Sequence, residues 1–181
     1  MSSKRIAVRY ATPLLELAEE QSILDKVSAD IKGFLALYEG SRDFQLMLAS
    51  PIIPHLKKAS ILANLFKGKI EPLTDRFFQT VAKKNRENLL GEIAEEFIRL
   101  YNEHKGIQEA VVTTPFALDA SLRKSFEKMV KDISGKEPLL KEKVDPSLIG
   151  GYTIQMGDRK LDDSVSGQLR SLKLKFSNEK N

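Results

Sequence analysis

The chain has 181 residues, 41% hydrophobic and 30% charged, with a formal net charge of +4 and no cysteine. That length suits one large domain or two small ones, and the composition is that of a folded chain with a heavily charged surface. Disulfides, thiolate catalysis and cysteine-ligated metals are excluded, while the modest basic charge permits an acidic partner, anionic lipid or nucleic acid without choosing among them.

The elements run in two styles. From the N-terminus, Ile6, Tyr10, Leu14 and Leu17 fall on one face of a 3.6-residue period, with Pro13 expected to kink or loosen the helix. Ser22 to Asp25 reads as a capping box before a helix striped by Ile23, Val27, Ile31, Phe34 and Tyr38, and Gly40 is placed to end it. A loop through Pro51 and Pro54 is expected next. Three further helices are marked by Ala59 to Phe66, by Leu73, Phe77 and Val81, and by Leu90, Ile93, Phe97 and Leu100, the last stopping at Gly106.

The pattern changes near Ile107. The β-branched run Ala110 to Thr114 before Pro115 predicts a strand, and Asp119 can cap a helix with a core face of Leu122, Phe126, Met129, Val130 and Ile133, closed by Gly135. Strands are predicted over Leu139 to Val144 and Tyr152 to Met156, with a turn at Gly157 and Asp158. A final helix carries Val165, Leu169 and Leu172 on one face. Strands segregated after helices predict two domains, with a boundary between His104 and Gln108.

A search for chemistry finds none assembled. His55 and His104 are far apart, and no metal-ligand spacing such as Glu-x-x-His occurs. Gly150-Gly151 precedes a strand, whereas a phosphate-cradling loop follows one. Asp158, Asp162 and Asp163 are better explained as a turn residue and helix N-caps than as a magnesium site, and Ser164 also reads as a capping hydroxyl. The bases Arg159, Lys160, Arg170, Lys173 and Lys175 have only Phe176 as an aromatic neighbour, so they read as a solvated face or as a contact for an acidic partner helix. No apolar run is long enough to cross a membrane, and no secretory h-region follows Lys4-Arg5.

One long pattern is specific. The run Val144-Asp145-Pro146-Ser147-Leu148-Ile149-Gly150-Gly151-Tyr152-Thr153-Ile154, then Gly157-Asp158, then Leu161-Asp162-Asp163-Ser164-Val165, resembles the C-terminal hallmark of ATP synthase delta subunits, the family of the mitochondrial oligomycin-sensitivity-conferring protein. Ala7-Val8-Arg9-Tyr10-Ala11, Asn85-Arg86 with Leu89-Leu90 and Ile93 to Phe97, and Val111 to Thr114 with Leu118 are similar to other parts of it. Asp163 stands where the family usually has glycine, and Pro13 where alanine is more usual.

The resemblance implies a two-domain α + α/β protein. A six-helix N-terminal bundle over residues 1–105 would bind the N-terminal helix of an ATP synthase alpha subunit. A C-terminal α+β domain (β-α-β-β-α) over 106–181 would bind the C-terminus of the b-subunit stalk. It implies a non-catalytic stator without cofactor or metal, one copy per complex, reaching the membrane only through that complex. The start of the sequence favours the cytoplasmic face of a bacterial plasma membrane. In the family, helices one and five form the alpha-binding groove. By the present reading these map onto Ala7, Tyr10, Ala11 and Leu14 with Leu90, Ile93 and Phe97, although the same residues would serve a bundle core. Asp145, Pro146, Gly150, Gly151, Gly157, Asp158 and Ser164 are expected to be structural or to lie on the stalk side. The alternative in another class is a basic nucleic-acid-binding protein, which would bind with steep salt dependence.

Overall fold

The computed structural model describes residues 3–178 and resolves two compact units, 1–101 and 102–181. The first unit is helical: α1 (Ser3–Glu20), α2 (Leu24–Gly40), α3 (Arg42–Ala49), α4 (His55–Phe66), α5 (Pro72–Lys83), a 3-10 turn at Glu87–Leu89, and α6 (Leu90–His104), which runs past the boundary of the unit. Helix α1 continues through Pro13, which lies on its exposed side.

Two local expectations fail for identifiable reasons. The Ser22–Asp25 capping box does not form: Ser22 takes a left-handed φ of 58°, and Ile23 at the N-cap supplies no side-chain bond. Gly40 does not open a long loop either. Ser41 is at once the C-cap of α2 and the N-cap of α3, its hydroxyl accepting from Phe44 N at 3.3 Å, so an eight-residue helix follows immediately. A helix of two turns leaves too short a periodic pattern to be read against a neighbouring loop.

The first core is built around Phe34. Its ring meets Phe78 at 5.0 Å between centroids, with Phe44, Phe66 and Tyr38 around it. Ala7, Ala11, Leu14 and Ala18 of α1, Val27 and Ile31 of α2, and Leu90, Ile93 and Phe97 of α6 complete it. The small α1 residues let its backbone approach closely, and burial of the larger side chains contributes about 1.5–3 kcal/mol each. Asp30 of α2 caps α5 from outside that helix, accepting from Glu71 N at 2.8 Å and Thr74 Oγ1 at 2.9 Å. The buried Lys58 ammonium donates to Leu48 O at 2.8 Å and to Glu87 Oε1 at 2.9 Å, joining α3, α4 and the 3-10 turn; Glu87 Oε2 has no partner.

The second unit contains β1 (Ile107–Thr114), α7 (Ala120–Ser134), β2 (Glu137–Val144), a 3-10 turn at Pro146–Leu148, β3 (Thr153–Met156), β4 (Arg159–Asp162) and α8 (Val165–Asn178). The sheet order is β2-β1-β3-β4. β1 and β2 are parallel, joined across α7, while β3 is antiparallel to both β1 and β4. The predicted β-α-β-β-α order therefore gains a strand. β4 carries Arg-Lys-Leu-Asp, all exposed, and pairs through a two-residue hairpin rather than through an apolar pattern.

Asp119 caps α7, its Oδ1 accepting from Ser121 N and Leu122 N, and Gly135 closes it in the left-handed region. The core is Phe126 and Val130 against Ala110, Val112, Leu140 and Ile154. Leu122 and Ile133, expected in that core, are exposed, because a 15-residue helix on a small sheet buries only its central turns.

Candidate functional site

In the first unit, six of the seven residues mapped to a groove lie inside the bundle. Ala7, Ala11, Leu14, Leu90, Ile93 and Phe97 are all buried in the Phe34 core, with Ala11 at 0% exposure. Only Tyr10 reaches the surface, half-buried. On α1 the small residues Ala7 and Ala11, with Leu14, form the face packed into the core. Once the short α3 is counted, the fifth helix is α5, and the segment from Leu90 is the sixth, a largely buried member of the bundle. A stripe of large apolar residues at helical spacing marks the face a helix buries, and here that face is internal.

What α1 offers outward is a cleft of about 510 Å³, lined by Arg5, Ile6, Arg9 and Tyr10 with Lys84 and Arg86 from the loop after α5. Arg5 and Arg9 stand one turn apart on α1, as do Ile6 and Tyr10, which form an apolar strip beside them. Among the described residues none of the four cations is paired with a carboxylate. The cleft combines an apolar patch with unpaired positive charge, which is the arrangement that receives an amphipathic segment with acidic residues. Arg9 sits inside the Ala-Val-Arg-Tyr-Ala run, so its signal was in the motif. Arg86 likewise lies in the Asn85-Arg86 pair that carried the resemblance, whereas Lys84 gave no signal, being a loop residue brought to α1 only by folding.

In the second unit the long motif forms one hub. Ser164 is the N-cap of α8: its hydroxyl accepts from Gly167 N at 3.0 Å and donates to Asp162 Oδ1 at 2.6 Å, and Asp162 also accepts from Ser164 N. The cap is thus Ser164, held by Asp162, and not either aspartate directly. Asp163 N donates to Tyr152 O at 3.0 Å, and Val165 N to Gly150 O at 3.0 Å, so the segment entering α8 is strapped to the loop before β3. Asp145 caps the 3-10 turn begun by Pro146, accepting from Ser147 N and Oγ. Gly157 takes φ 56° in the β3–β4 turn, with Asp158 exposed beside it. Asp163, the departure from the family's glycine, needs no positive φ, and its carboxylate accepts from Gln168 at 2.9 Å.

These bonds set the electrostatics. Bonds from Ser147 hold the Asp145 carboxyl below the usual aspartate range, and bonds from Ser164 do the same for Asp162. The Tyr152 hydroxyl is pushed up, by burial first and then by the negative charge of Asp163. Because the folded carboxyls bind protons less readily than the unfolded ones, the stability they contribute is complete above about pH 4 and is lost as pH falls through their lowered values. Acid titration followed by hydrogen exchange should therefore open the start of α8 below that pH, with no corresponding change between pH 5 and 8.

No group of three or more His, Asp or Glu side chains among the described residues could hold a metal ion; His55 lies in the first unit and His104 in the second. Arg159 and Lys160 lie on β4 and Arg170 and Lys173 on α8, all exposed; the side chains of Lys175 and Phe176 lie outside the described residues. Among the described residues no helix is long and apolar enough to cross a membrane.

The first unit thus carries a cationic cleft and the second a capped, exposed helix. Residues 6–176 match the ATP synthase delta (OSCP) subunit family. The chain is 34% identical over 179 residues to ATP synthase subunit delta of Cytophaga hutchinsonii, covering 99% of this chain and 98% of that one. It is 36% identical over 179 residues to the subunit delta of Chlorobium luteolum, covering 99% of each. A chain in the cryo-EM structure of the Toxoplasma gondii mitochondrial ATP synthase hexamer superposes with a TM-score of 0.77 at 25% identity, covering 94% of this chain and 96% of that one. The chain belongs to the ATP synthase delta (OSCP) subunit family, a non-catalytic component of the peripheral stalk of F-type ATP synthases.

Proposed function

We propose that this chain clamps the catalytic head of an F-type ATP synthase to its stalk, the helical unit receiving the N-terminal segment of an alpha subunit and the α+β unit engaging the C-terminal end of the b subunits. It acts as a single copy per complex at the cytoplasmic face of a bacterial plasma membrane, which it reaches only through its partners. The work is mechanical. Torque delivered through the central shaft turns the head unless a stator holds it, so the chain must keep two interfaces closed under load and need perform no reaction.

The observation that supports the head contact is the cleft of Arg5, Ile6, Arg9, Tyr10, Lys84 and Arg86. It lies where α1 meets the loop after α5. An amphipathic segment would lay its apolar face on Ile6 and Tyr10 and turn its acids toward the cations. Burial supplies holding energy at about 25 cal/mol per Å² before the costs of association.

The test is calorimetry of the full chain with a peptide of the alpha-subunit N-terminus. Arg9→Glu, at an exposed position, should weaken binding at least tenfold while thermal melting stays within a few degrees. Raising salt should weaken the wild type in the same direction. Unchanged binding by Arg9→Glu would place the alpha segment elsewhere on the bundle.

A further inference from the structure

We propose that the buried Lys58–Glu87 ion pair is a positioning device: it fixes the loop that carries Lys84 and Arg86, and so holds one wall of the α1 cleft in shape for its partner. The part played by the partner rests on the reading of that cleft as the head contact. Neither residue of the pair lines the cleft. Both are buried, Lys58 at 3% exposure and Glu87 at 7%. They act through the backbone between them and the cleft, because Glu87 is the residue after Arg86 and opens the 3-10 turn at Glu87–Leu89.

Stability does not explain the choice of these residues. Taking an ammonium and a carboxylate out of water carries a penalty that a well-packed apolar pair of similar volume avoids. Glu87 adds to that penalty, because its Oε2 is buried without a partner among the described residues. What the pair supplies is direction. Lys58 Nζ donates to Leu48 O at 2.8 Å, at the C-terminal end of α3, where carbonyls lack helical partners and the helix dipole favours a cation. It also donates to Glu87 Oε1 at 2.9 Å. Apolar contacts can slide past one another, whereas hydrogen bonds hold a set length and angle. A shift of the turn would break the second bond and leave a buried charge unpaired, so the pair admits one placement of Glu87.

The other side of the loop is set by the end of α5. Asn85 N donates to Ala82 O at 2.9 Å and Arg86 N to Val81 O at 3.1 Å, which is the Schellman pattern of a helix C-terminus. Asn85 supplies the left-handed residue that the pattern needs, at φ 54°, a region asparagine tolerates. Arg86 O accepts from Leu89 N at 2.9 Å. The backbone at Arg86 is therefore bonded through both its N–H and its carbonyl, and is held toward α5 before it and toward α3 and α4 after it. Only the side chains of Lys84 and Arg86, both exposed, are left to adjust. They meet Arg5 and Arg9 across the cleft on a wall that is already ordered, so a partner segment need not order the loop as it binds.

The experiment uses the full chain and the alpha N-terminal peptide. Lys58→Met with Glu87→Met replaces the pair by apolar side chains and should keep thermal melting within a few degrees of wild type. Peptide affinity should still fall by about fivefold or more, because the loop must now be ordered on binding. Its salt dependence should flatten, since Lys84 and Arg86, two of the four cations, are no longer held in place. The amides of Arg86 and Leu89 should lose protection from hydrogen exchange while those of α1 keep theirs. Glu87→Gln retains an oxygen for Lys58 and should bind the peptide within about twofold of wild type. A folded double variant with wild-type affinity and salt dependence overturns the proposal, whatever its exchange, and leaves the head contact standing. Equal loss of binding in Glu87→Gln and the double variant also overturns it, since charge and not placement would then be the contribution. If wild type does not bind the peptide, the reading of the cleft falls, and loss or retention of exchange protection in the double variant supports or overturns the holding of the loop. If the double variant does not fold, wild-type exchange decides: protection at Arg86 and Leu89 like that inside α5 supports the proposal, and exchange at the rate of an open loop overturns it.

Discussion

Replacing Ala11 by Asp should unfold the helical unit rather than unseat a partner. Ala11 is fully enclosed among Ala7, Leu14 and Ala18 of its own helix and the Phe34 core. The side chains that make up that core are hydrophobic, and an unpaired buried charge costs several kcal/mol, about 3–5 by comparison with broken buried pairs. A small domain has a total stability of only about 5–15 kcal/mol, and a unit of this size loses roughly 4–8 °C of melting temperature per kcal/mol. Loss of the helical circular-dichroism signal should come at least ~12 °C earlier than in wild type, with Arg9→Glu as a control that leaves it in place. A melting temperature within a few degrees of wild type would take Ala11 out of the core and restore it as a groove residue.

Ala11 also shows what the sequence could and could not say. The stripe of α6 was legible because buried faces repeat at 3.6 residues over many turns, but on α1 the face read from Ile6, Tyr10, Leu14 and Leu17 was not the buried one: Ala7, Ala11, Leu14 and Ala18 are buried and Leu17 is exposed, the alanines being too small to stand out in the pattern. Which buried face meets another helix of the same chain, and which meets a partner, has no separate signature, since both demand apolar residues at the same spacing. The helix count was also one short, because Ser41 serves two helices at once and α3 is only eight residues long. The cleft itself needed folding to appear: Arg9 and Arg86 were each visible in a motif, but only folding brings Lys84 and Arg86 to α1 from a loop some seventy-five positions away. In the second unit the caps at Asp119 and Ser164 and the stop at Gly135 were readable from local chemistry, which acts within a few residues. Strand β4 was not, because a charged edge strand is specified by the hairpin that pairs it and has no apolar alternation of its own.

The motif that carried the resemblance has a structural role that can be stated atom by atom, and it bears on function through α8. A stalk contact through α8 requires that α8 be held in place, and its start is held by the Ser164 cap, the Gln168–Asp163 bond and the strap from Val165 to Gly150. Rigidity at the base of an exposed helix is what a load-bearing contact requires, because a helix that swings cannot resist torque. The hallmark residues therefore need not touch the stalk to be indispensable to it.

Gly151→Ala should show this more sharply than any other change in the second unit. Gly151 takes φ 76°, where a side chain is already strained by about 1–3 kcal/mol. A Cβ placed there would stand 2.2 Å from Asp163 O and 2.9 Å from Ser164 Cα. These are backbone atoms, so no rotamer change relieves the overlap. The segment entering α8 must move away, and the Asp163–Tyr152 and Val165–Gly150 backbone bonds break with it. The combined cost should reach about 3 kcal/mol or more, adding the backbone strain to an overpacking of similar size. Gly157→Ala is the comparison: its φ of 56° is also left-handed, but nothing lies within 4 Å of the added Cβ, so only the backbone term of about 1 kcal/mol applies. Hydrogen exchange should find the amides of Val165 to Lys173 unprotected in Gly151→Ala and close to wild type in Gly157→Ala, with binding of the b-subunit fragment lost in the first and kept in the second. Equal protection of α8 in the two variants would mean that the Gly151 strap does not hold the helix, and the hallmark would need another explanation.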